Sequence, residues 1–250
     1  MDGVYPPDGK RIAFGSDRSG TFETWICNSD GTNQLQLTSL AGADSGTPKW
    51  SPDGKTIAFD ARVAGHGDIF IISADGGSPR RLTTEPFENN VPSWSRDGHW
   101  IYFSSDRTGT WQIWKIPSGG GSAVQVTNTG GFSAQESIDG KWLYLWREPG
   151  TIWKMPVGGG EPMRVLQGVE NFAFWKIAAN GTYFVDVSTT PALIKFFDFA
   201  TQHSKAITSV DLGYSVPGPQ NFDVSPDGQW ILFKRVDQVD SEIMLVENFQ

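Results

Sequence analysis

Carboxylates and amides recur along this chain, and they are the side chains with which it could do chemistry. Asp44, Glu88-Asn89-Asn90, Gln135-Glu136, Glu170-Asn171 and Gln220-Asn221 each stand at or just ahead of a short apolar run. Oxygen donors converging on one axis could hold a hard cation such as Ca²⁺, or a cationic ligand group. On that reading Glu88, Glu136 and Glu170 are the metal-ligand candidates. Glu88, Asn89, Asn90, Gln135, Glu136, Glu170, Asn171 and Asn221 form the ligand-binding set. If the site is catalytic, the metal would polarise an ester or phosphoryl oxygen and a carboxylate would act as base or nucleophile. The catalytic candidates are then Glu136, Glu170 and His66, the last in the segment Gly65-His66-Gly67-Asp68. Glu136 is the sharpest of these, because a carboxylate stands where other repeats place a bulky apolar residue. If buried, it needs a partner. A solvated channel wall lined by polar residues accounts for the same pattern, and both readings stay open.

Other chemistries find less support. His66, His99 and His203 fall in different repeats and make no metal set. No Gly-x-Ser-x-Gly elbow is present. Cys27 lies beside Trp25 and Ile26, which predicts a buried, inert thiol. Gly119-Gly120-Gly121 and Gly158-Gly159-Gly160 join strand-like runs and open no helix, so a phosphate loop is not indicated. Asp17-Arg18 and Asp106-Arg107 could bind anions, with a structural pairing in a hairpin as the competing role. Asn180-Gly181-Thr182 matches a glycosylation sequon, but its Asn-Gly is needed for a turn.

The bulk properties narrow the classes further. The chain has 250 residues, 38% hydrophobic and 19% charged, with 11 Trp and a formal net charge of −8. That acidity argues against a nucleic-acid surface, which needs clustered Lys and Arg. One cysteine excludes an internal disulfide and any multi-cysteine metal site. No apolar run approaches the length of a membrane span, and Met1-Asp2-Gly3-Val4-Tyr5 has no signal-peptide character. The compartment stays undetermined.

The elements that must position these residues come from an internal repeat. An Asp-Gly or Asn-Gly turn recurs with its glycine at Gly9, Gly54, Gly98, Gly140, Gly181 and Gly228, at spacings of 45, 44, 42, 41 and 47. Each turn precedes an aromatic or aliphatic run such as Thr56-Ile57-Ala58-Phe59 or Trp100-Ile101-Tyr102-Phe103. A second run follows, then a Gly-rich turn, then in most repeats a short segment ending Leu37-Thr38, Leu82-Thr83, Val126-Thr127 or Ile207-Thr208. Runs this short, bounded by turn residues, predict strands. Asp-Gly between them predicts a type I′ hairpin, with positive φ at both central residues. Four strands per repeat of about 40 to 45 residues indicates a β-propeller. The expected fold is all-β, a six-bladed propeller with four-stranded blades, in one domain over residues 1–250. Its repeats span about 1–38, 39–83, 84–127, 128–166, 167–208 and 209–250.

Trp50-Ser51-Pro52-Asp53-Gly54-Lys55-Thr56-Ile57-Ala58-Phe59, Trp94-Ser95-Arg96-Asp97-Gly98 and Val224-Ser225-Pro226-Asp227-Gly228 resemble the repeat of TolB-type, WD-repeat-like propellers. Ser16-Asp17-Arg18-Ser19-Gly20 and Ser105-Asp106-Arg107-Thr108-Gly109 resemble that family's second hairpin. The resemblance covers essentially the whole chain. It implies a propeller that serves as a sensor or interaction module in larger bacterial proteins, and says little about activity. The fourth and fifth repeats depart from it, with Glu136-Ser137-Ile138-Asp139-Gly140 and Ile177-Ala178-Ala179-Asn180-Gly181.

The last repeat supplies strands near Phe222–Ser225, Trp230–Phe233 and Glu242–Val246, so its blade is expected to have three strands. Residues 1–4 look too few to complete it. The chain is therefore expected to be a fragment of a larger parent, with an open edge for pairing with another chain. The expected function is non-catalytic recognition of a protein or peptide at the loop-rich face, with no required cofactor. A basic partner would be favoured electrostatically, with Trp111, Trp146 and Phe132 as candidate anchors. The alternative is a Ca²⁺-dependent hydrolase of esters or phosphotriesters at the channel mouth.

Overall fold

The computed structural model describes residues 3–63, 65–213, 222–237 and 240–247. The elements among them are strands. β1 (Arg11–Ser16), β2 (Glu23–Asn28) and β3 (Leu35–Gln36) form the first sheet. The second holds β4 (Ser45–Trp50), β5 (Thr56–Ala61), β6 (Asp68–Ser73) and β7 (Arg80–Arg81). The third holds β8 (Asn89–Trp94), β9 (Trp100–Ser105), β10 (Gln112–Pro117) and β11 (Val124–Gln125). The fourth holds β12 (Phe132–Glu136), β13 (Trp142–Arg147), β14 (Thr151–Pro156) and β15 (Met163–Gln167). The fifth holds β16 (Trp175–Ile177), β17 (Gly181–Asp186), β18 (Ala192–Asp198) and β19 (Ser204–Val210). Then come β20 (Phe222–Val224), β21 (Trp230–Asp237) and β22 (Asp240–Glu247). Within each sheet the strands pair antiparallel in chain order.

The fold is an all-β propeller, but the expected six-bladed ring of four-stranded blades is not met and must be corrected. Among the described residues only four sheets carry four strands. Among the described residues the inner side of the first sheet is a single bridge from Val4 to Ala13. The cause is local. The Tyr5 amide donates instead to Asp223 Oδ2 at 2.8 Å, and Pro6 and Pro7 have no N–H to extend a ladder. Residues β20–β22 form three strands. Val4 joins the inner side of the first sheet and is not an outer strand of the last.

The turns also differ from expectation. Gly54 has φ +68 while Asp53 is not in the left-handed region, and the Gly54 amide donates to Ser51 O at 2.9 Å. This is a type I turn closed by a left-handed glycine. The Ser51 hydroxyl donates to Asp53 Oδ1 at 2.6 Å and accepts from the Thr56 amide at 2.9 Å. The same clasp recurs at Ser95–Asp97, Ser137–Asp139 and Ser225–Asp227. It holds the carboxyls of Asp53, Asp97, Asp139 and Asp227 below the usual carboxylate value, first through the serine hydroxyl and then through a turn amide.

A folded pKa below the unfolded one gives a contribution that is complete above the unfolded pKa and is lost as pH falls through the folded value. Asp186, lowered to about 2 chiefly by the hydrogen bond from Lys195, adds to the same trend. Asp68 runs the other way, since burial raises its carboxyl. With more carboxyls lowered than raised, the urea midpoint should hold from neutral pH to about pH 4 and then decline. Asp53→Asn should shallow that acid limb. A midpoint that rises below pH 4 would contradict this assignment.

A second repeated clip joins sheet to loop. Thr38, Thr83 and Thr127 each donate a hydroxyl to the first residue of the strand next to the outer one, at Glu23 (2.6 Å), Asp68 (2.9 Å) and Gln112 (2.9 Å). Each threonine oxygen also accepts the next backbone amide, from Thr24, Ile69 or Ile113. Where the clip is present the outer strand is only two residues long (β3, β7, β11). In the fourth and fifth sheets the outer strand runs to five and seven residues.

Apolar side chains wedge each sheet against the next. Ala13 and Ile26 pack with Trp50, Phe59 and Phe70. Ala58 and Ile69 meet Ile101, Phe103 and Ile116. Tyr102 and Ile113 meet Leu143, Leu145 and Met155. Tyr144 and Ile152 meet Trp175, Phe184 and Phe197. Val185 and Ile194 meet Ile231 and Phe233. Leu232 packs on Ile12, Phe14 and Cys27, which brings the last sheet onto the first. Burying each large side chain contributes roughly 1.5–3 kcal/mol before entropy is counted. Cys27 sits inside this last contact, and burial pushes its thiol up to about 11.

Candidate functional site

The inner strands surround a central cavity of about 560 Å³. Alternation along each strand brings one position per repeat to its wall: Val4, Lys49, Ser93, Gln135, Lys176 and Asp223. The walls are tied to one another at every junction. Trp50 Nε1 donates to Val4 O at 3.1 Å, and Trp94 Nε1 to Lys49 O at 3.0 Å. Arg96 donates its amide to Glu136 Oε2 at 2.7 Å. Gln135 Nε2 donates to Trp175 O at 3.1 Å, and the Ile177 amide to Gln135 Oε1 at 3.2 Å. Lys176 Nζ stands 2.7 Å from Asp223 Oδ1, and Asp223 Oδ2 accepts the Tyr5 amide.

Glu136 is therefore buried and engaged. Its Oε1 accepts the Tyr102 hydroxyl at 2.7 Å, while Arg96 Nε and Nη2 reach Ser137 O and Glu136 O. Burial and then the Glu136 bond drive the Tyr102 phenol well above its usual range. Burial lowers Arg96, partly offset by Glu136. The sequence held the signal for this pair: Arg96 replaces the proline of Trp-Ser-Pro-Asp-Gly in the third repeat, and Glu136 replaces the tryptophan in the fourth.

The other candidates sit elsewhere. Glu88 lies in the loop before β8. It pairs with Arg62 Nη2 at 2.7 Å and accepts the Gly67 amide at 3.1 Å. Partial burial opposes its ionisation, but the Gly67 amide, Arg62 and Asn90 outweigh burial and lower its pKa. Asn89 is fully buried and bonds Phe87 O and Arg107 Nη2. Asn90 Nδ2 reaches Glu88 Oε2 at 3.4 Å. Its Oδ1 lies only 2.0 Å from where a Cβ on residue 67 would stand, so a side chain there would displace the Asn90 amide.

Glu170 is exposed, and Asn171 Oδ1 accepts the Ala173 amide within its turn. His66 Nδ1 stands 3.3 Å from buried Asp68 Oδ2, which Arg81 and Thr83 also hold. Asn221 lies outside the described residues. Glu136 sits at the tight-turn end of β12, whereas Glu88 and Glu170 sit at the loop end, roughly 15 Å away along a five-residue strand. Among the described residues no three His, Cys, Asp or Glu side chains gather as a metal set.

The arginines of the second hairpins fold back on their own sheets. Arg18 lies 5.1 Å over Trp25 and Arg107 4.5 Å over Trp114, each with Nε on a preceding serine hydroxyl. This is the structural role, a cation–π cap.

What the structure does gather is aromatic. Trp111 meets Phe132 edge-on at 4.9 Å, Phe132 meets Phe172 at 4.7 Å, and Phe172 meets Trp146 at 6.2 Å. Trp146 is the buried support, its Nε1 bonded to Val169 O at 2.7 Å. Trp111 is the outer end, 37% exposed, and Phe22 and Phe87 are exposed on the same loop face. Phe172, Phe22 and Phe87 gave no sequence signal, since nothing in their spacing marks them off from core aromatics. The loops around them carry Asp17, Asp44, Glu85, Glu88, Asp106, Glu148, Glu170 and Asp211 against Arg18, Arg62 and Arg107.

The repeat and the clasped turns match a known family over residues 7–151, described as the TolB beta propeller domain. The chain belongs to the TolB β-propeller family. No curated protein matches its sequence. TolB from Acinetobacter baumannii is similar in structure, with TM-score 0.78 and 20% identity over 96% of this chain. This chain spans 61% of that protein's length. An oligogalacturonate lyase in complex with manganese aligns at TM-score 0.66 and 12% identity, covering 98% of this chain and 73% of that one. A chain of the nidogen/laminin complex aligns at TM-score 0.63 and 12% identity, covering 82% of this chain and 77% of that one. At these identities the likenesses establish the fold that TolB-type repeats build, and not what this member of the family binds.

Proposed function

We propose that this TolB-family propeller is a non-catalytic recognition module that binds a basic polypeptide at its loop face. The observation that carries the reading is the aromatic string ending at Trp111, set among loops rich in carboxylates. Aromatic anchors dominate the energetics of protein interfaces, and an acidic surround favours a basic partner and speeds its arrival. The propeller similar to this one in the nidogen/laminin complex comes from a protein–protein assembly. The wall carboxylates Glu136 and Asp223 serve as ties between sheets, which supports the loop face over the channel wall as the surface that meets a partner.

The test uses labelled peptides of equal length, one set basic and one acidic, measured by fluorescence anisotropy. Basic peptides should bind, more weakly as salt rises. Trp111→Ala should weaken them by about thirtyfold, equivalent to about 2 kcal/mol at an aromatic hot spot. Equal binding of both sets, or no effect of Trp111→Ala, would overturn the proposal. Ca²⁺-dependent ester or phosphotriester turnover, abolished by a chelator, would replace it with the hydrolase reading.

A further inference from the structure

The outer strands of the propeller are guarded unequally. In the first three sheets the threonine clip ends the outer strand after two residues. In the fifth sheet the strand next to the outer one begins with Ala192, which has no side-chain acceptor for a clip, and β19 runs for seven residues. It pairs with β18 on one side and is the last strand of its sheet among the described residues. Along an antiparallel edge strand every second residue turns both its N–H and its C=O outward, so β19 offers about three such residues. Its run Ala206-Ile207-Thr208-Ser209-Val210 holds no charge and no proline, the devices that commonly protect an edge. The outer strand of the fourth sheet, β15, has five residues and carries Arg164.

Beside this edge lies a cleft of about 570 Å³, lined by Lys205 and Ile207 of β19, Phe196 of β18, Tyr183 of β17 and Gly228 of the last repeat's first turn. Its floor differs from the same place in the neighbouring sheets. In the third and fourth sheets the second strand opens with Trp100 and Trp142, and Lys115 and Lys154 each lie 4.6 Å over that indole. In the fifth sheet Gly181 takes the place of the tryptophan and Phe196 that of the lysine. The Phe196 ring fills the space so left, 2.5 Å from where a Cβ on residue 181 would stand. Tyr102 and Tyr144, opposite those lysines, are 2% and 3% exposed and packed against the next sheet. Tyr183 stands in the same position opposite Phe196, 4.8 Å away, but is only half-buried. Two aromatic rings are thus left in a cleft that reaches the edge strand.

We infer that the edge of β19 receives an extended polypeptide segment, which adds a fifth strand to this sheet and places one aromatic or large aliphatic side chain in the cleft. Donors and acceptors alternating along about 23 Å of backbone are matched by another strand. Side chains of an added strand point alternately to the two faces of the sheet, so every second one lies on the cleft side, against Lys205 and Ile207. A second copy of this chain, pairing β19 with β19, fits less well. That contact is one seven-residue strand on each side, short of the extent of a stable interface, and β19 holds no aromatic residue to fill the cleft. The site lies on the outer rim and does not depend on the loop-face reading.

The experiment titrates the full chain with an uncharged, end-capped heptapeptide, Thr-Val-Thr-Phe-Thr-Val-Thr. Two controls accompany it, one N-methylated at the three central residues and one with Ala in place of Phe. Affinity is read by fluorescence anisotropy, and the place of binding by amide hydrogen exchange. The parent peptide should bind at submillimolar concentration and slow exchange within β19. N-methylation removes hydrogen bonding from both edges of the peptide and should abolish binding. Loss of the phenyl ring from the peptide, or Phe196→Ala in the protein, should weaken it about tenfold. Trp111→Ala should leave it unchanged. The peptide controls use the unaltered protein, so the result does not depend on how Phe196→Ala folds. The inference is overturned if the methylated or the Ala peptide binds as the parent does, if the slowed amides lie on a strand other than β19, or if no peptide binds at millimolar concentration. Protection of β19 that rises with protein concentration alone would make a second copy the occupant and overturn it as well.

Discussion

Glu136→Ala is expected to cost about 2–5 kcal/mol of unfolding free energy and to lower the melting temperature by roughly 5–15 °C. The carboxylate is 5% exposed and closes the junction between the third and fourth sheets. Its removal takes from the Tyr102 hydroxyl and the Arg96 amide the acceptor that each now uses. Each stranded group costs its own desolvation, which is why the effect exceeds that of an ordinary hydrogen bond. Glu136→Gln keeps one carbonyl acceptor and should recover part of the loss. Tyr102→Phe, which removes both the donor and its need, should cost less than Glu136→Ala. Urea unfolding of the three variants checks the order. Equal stability of Glu136→Ala and the parent would mean that the junction is held by apolar packing alone.

Gly181→Ala should destabilise by about 3 kcal/mol or more, beyond the usual range for an added methyl group. A Cβ at this position would lie 2.2 Å from Phe197 O and 2.5 Å from Phe196 Cζ. The oxygen belongs to the paired strand β18, opposite Gly181 and Thr182 in register, so it cannot swing aside as a flexible side chain could. The requirement is close approach of two backbones, since Gly181 does not have positive φ. Gly158→Ala is the control. Its Cβ would meet nothing within 4 Å and its φ is also outside the left-handed region, so its effect should stay within about 0.5 kcal/mol. Comparable melting temperatures for the two variants would place β17 further from β18 than the structure has it.

The contrast between these two glycines shows how far the sequence can be read. Both stand in turn-like surroundings, and nothing in their neighbours distinguishes the one that must lack a Cβ. The same holds for the aromatics. Trp111 and Trp146 are equally visible in the chain, yet one is the exposed end of a string and the other its buried support. The order of contacts in that string depends on three sheets being placed side by side.

Local information was enough for everything that repeats. The Ser-x-Asp-Gly clasp, the strand-length apolar runs and the threonine at the close of three repeats satisfy their hydrogen bonds within a few residues or one hairpin, so the chain alone determined an all-β propeller of the TolB kind. Tertiary structure decided what links one repeat to the next. Tyr5 gives its amide to Asp223, which removes the inner strand of the first sheet and defeats the uniform ring that the spacing predicts. Arg96 and Glu136, 40 residues apart, meet only because their sheets are neighbours, and this turns a candidate catalytic carboxylate into a tie. Burial and partnership are properties of the packed ring, and no spacing along the chain encodes them.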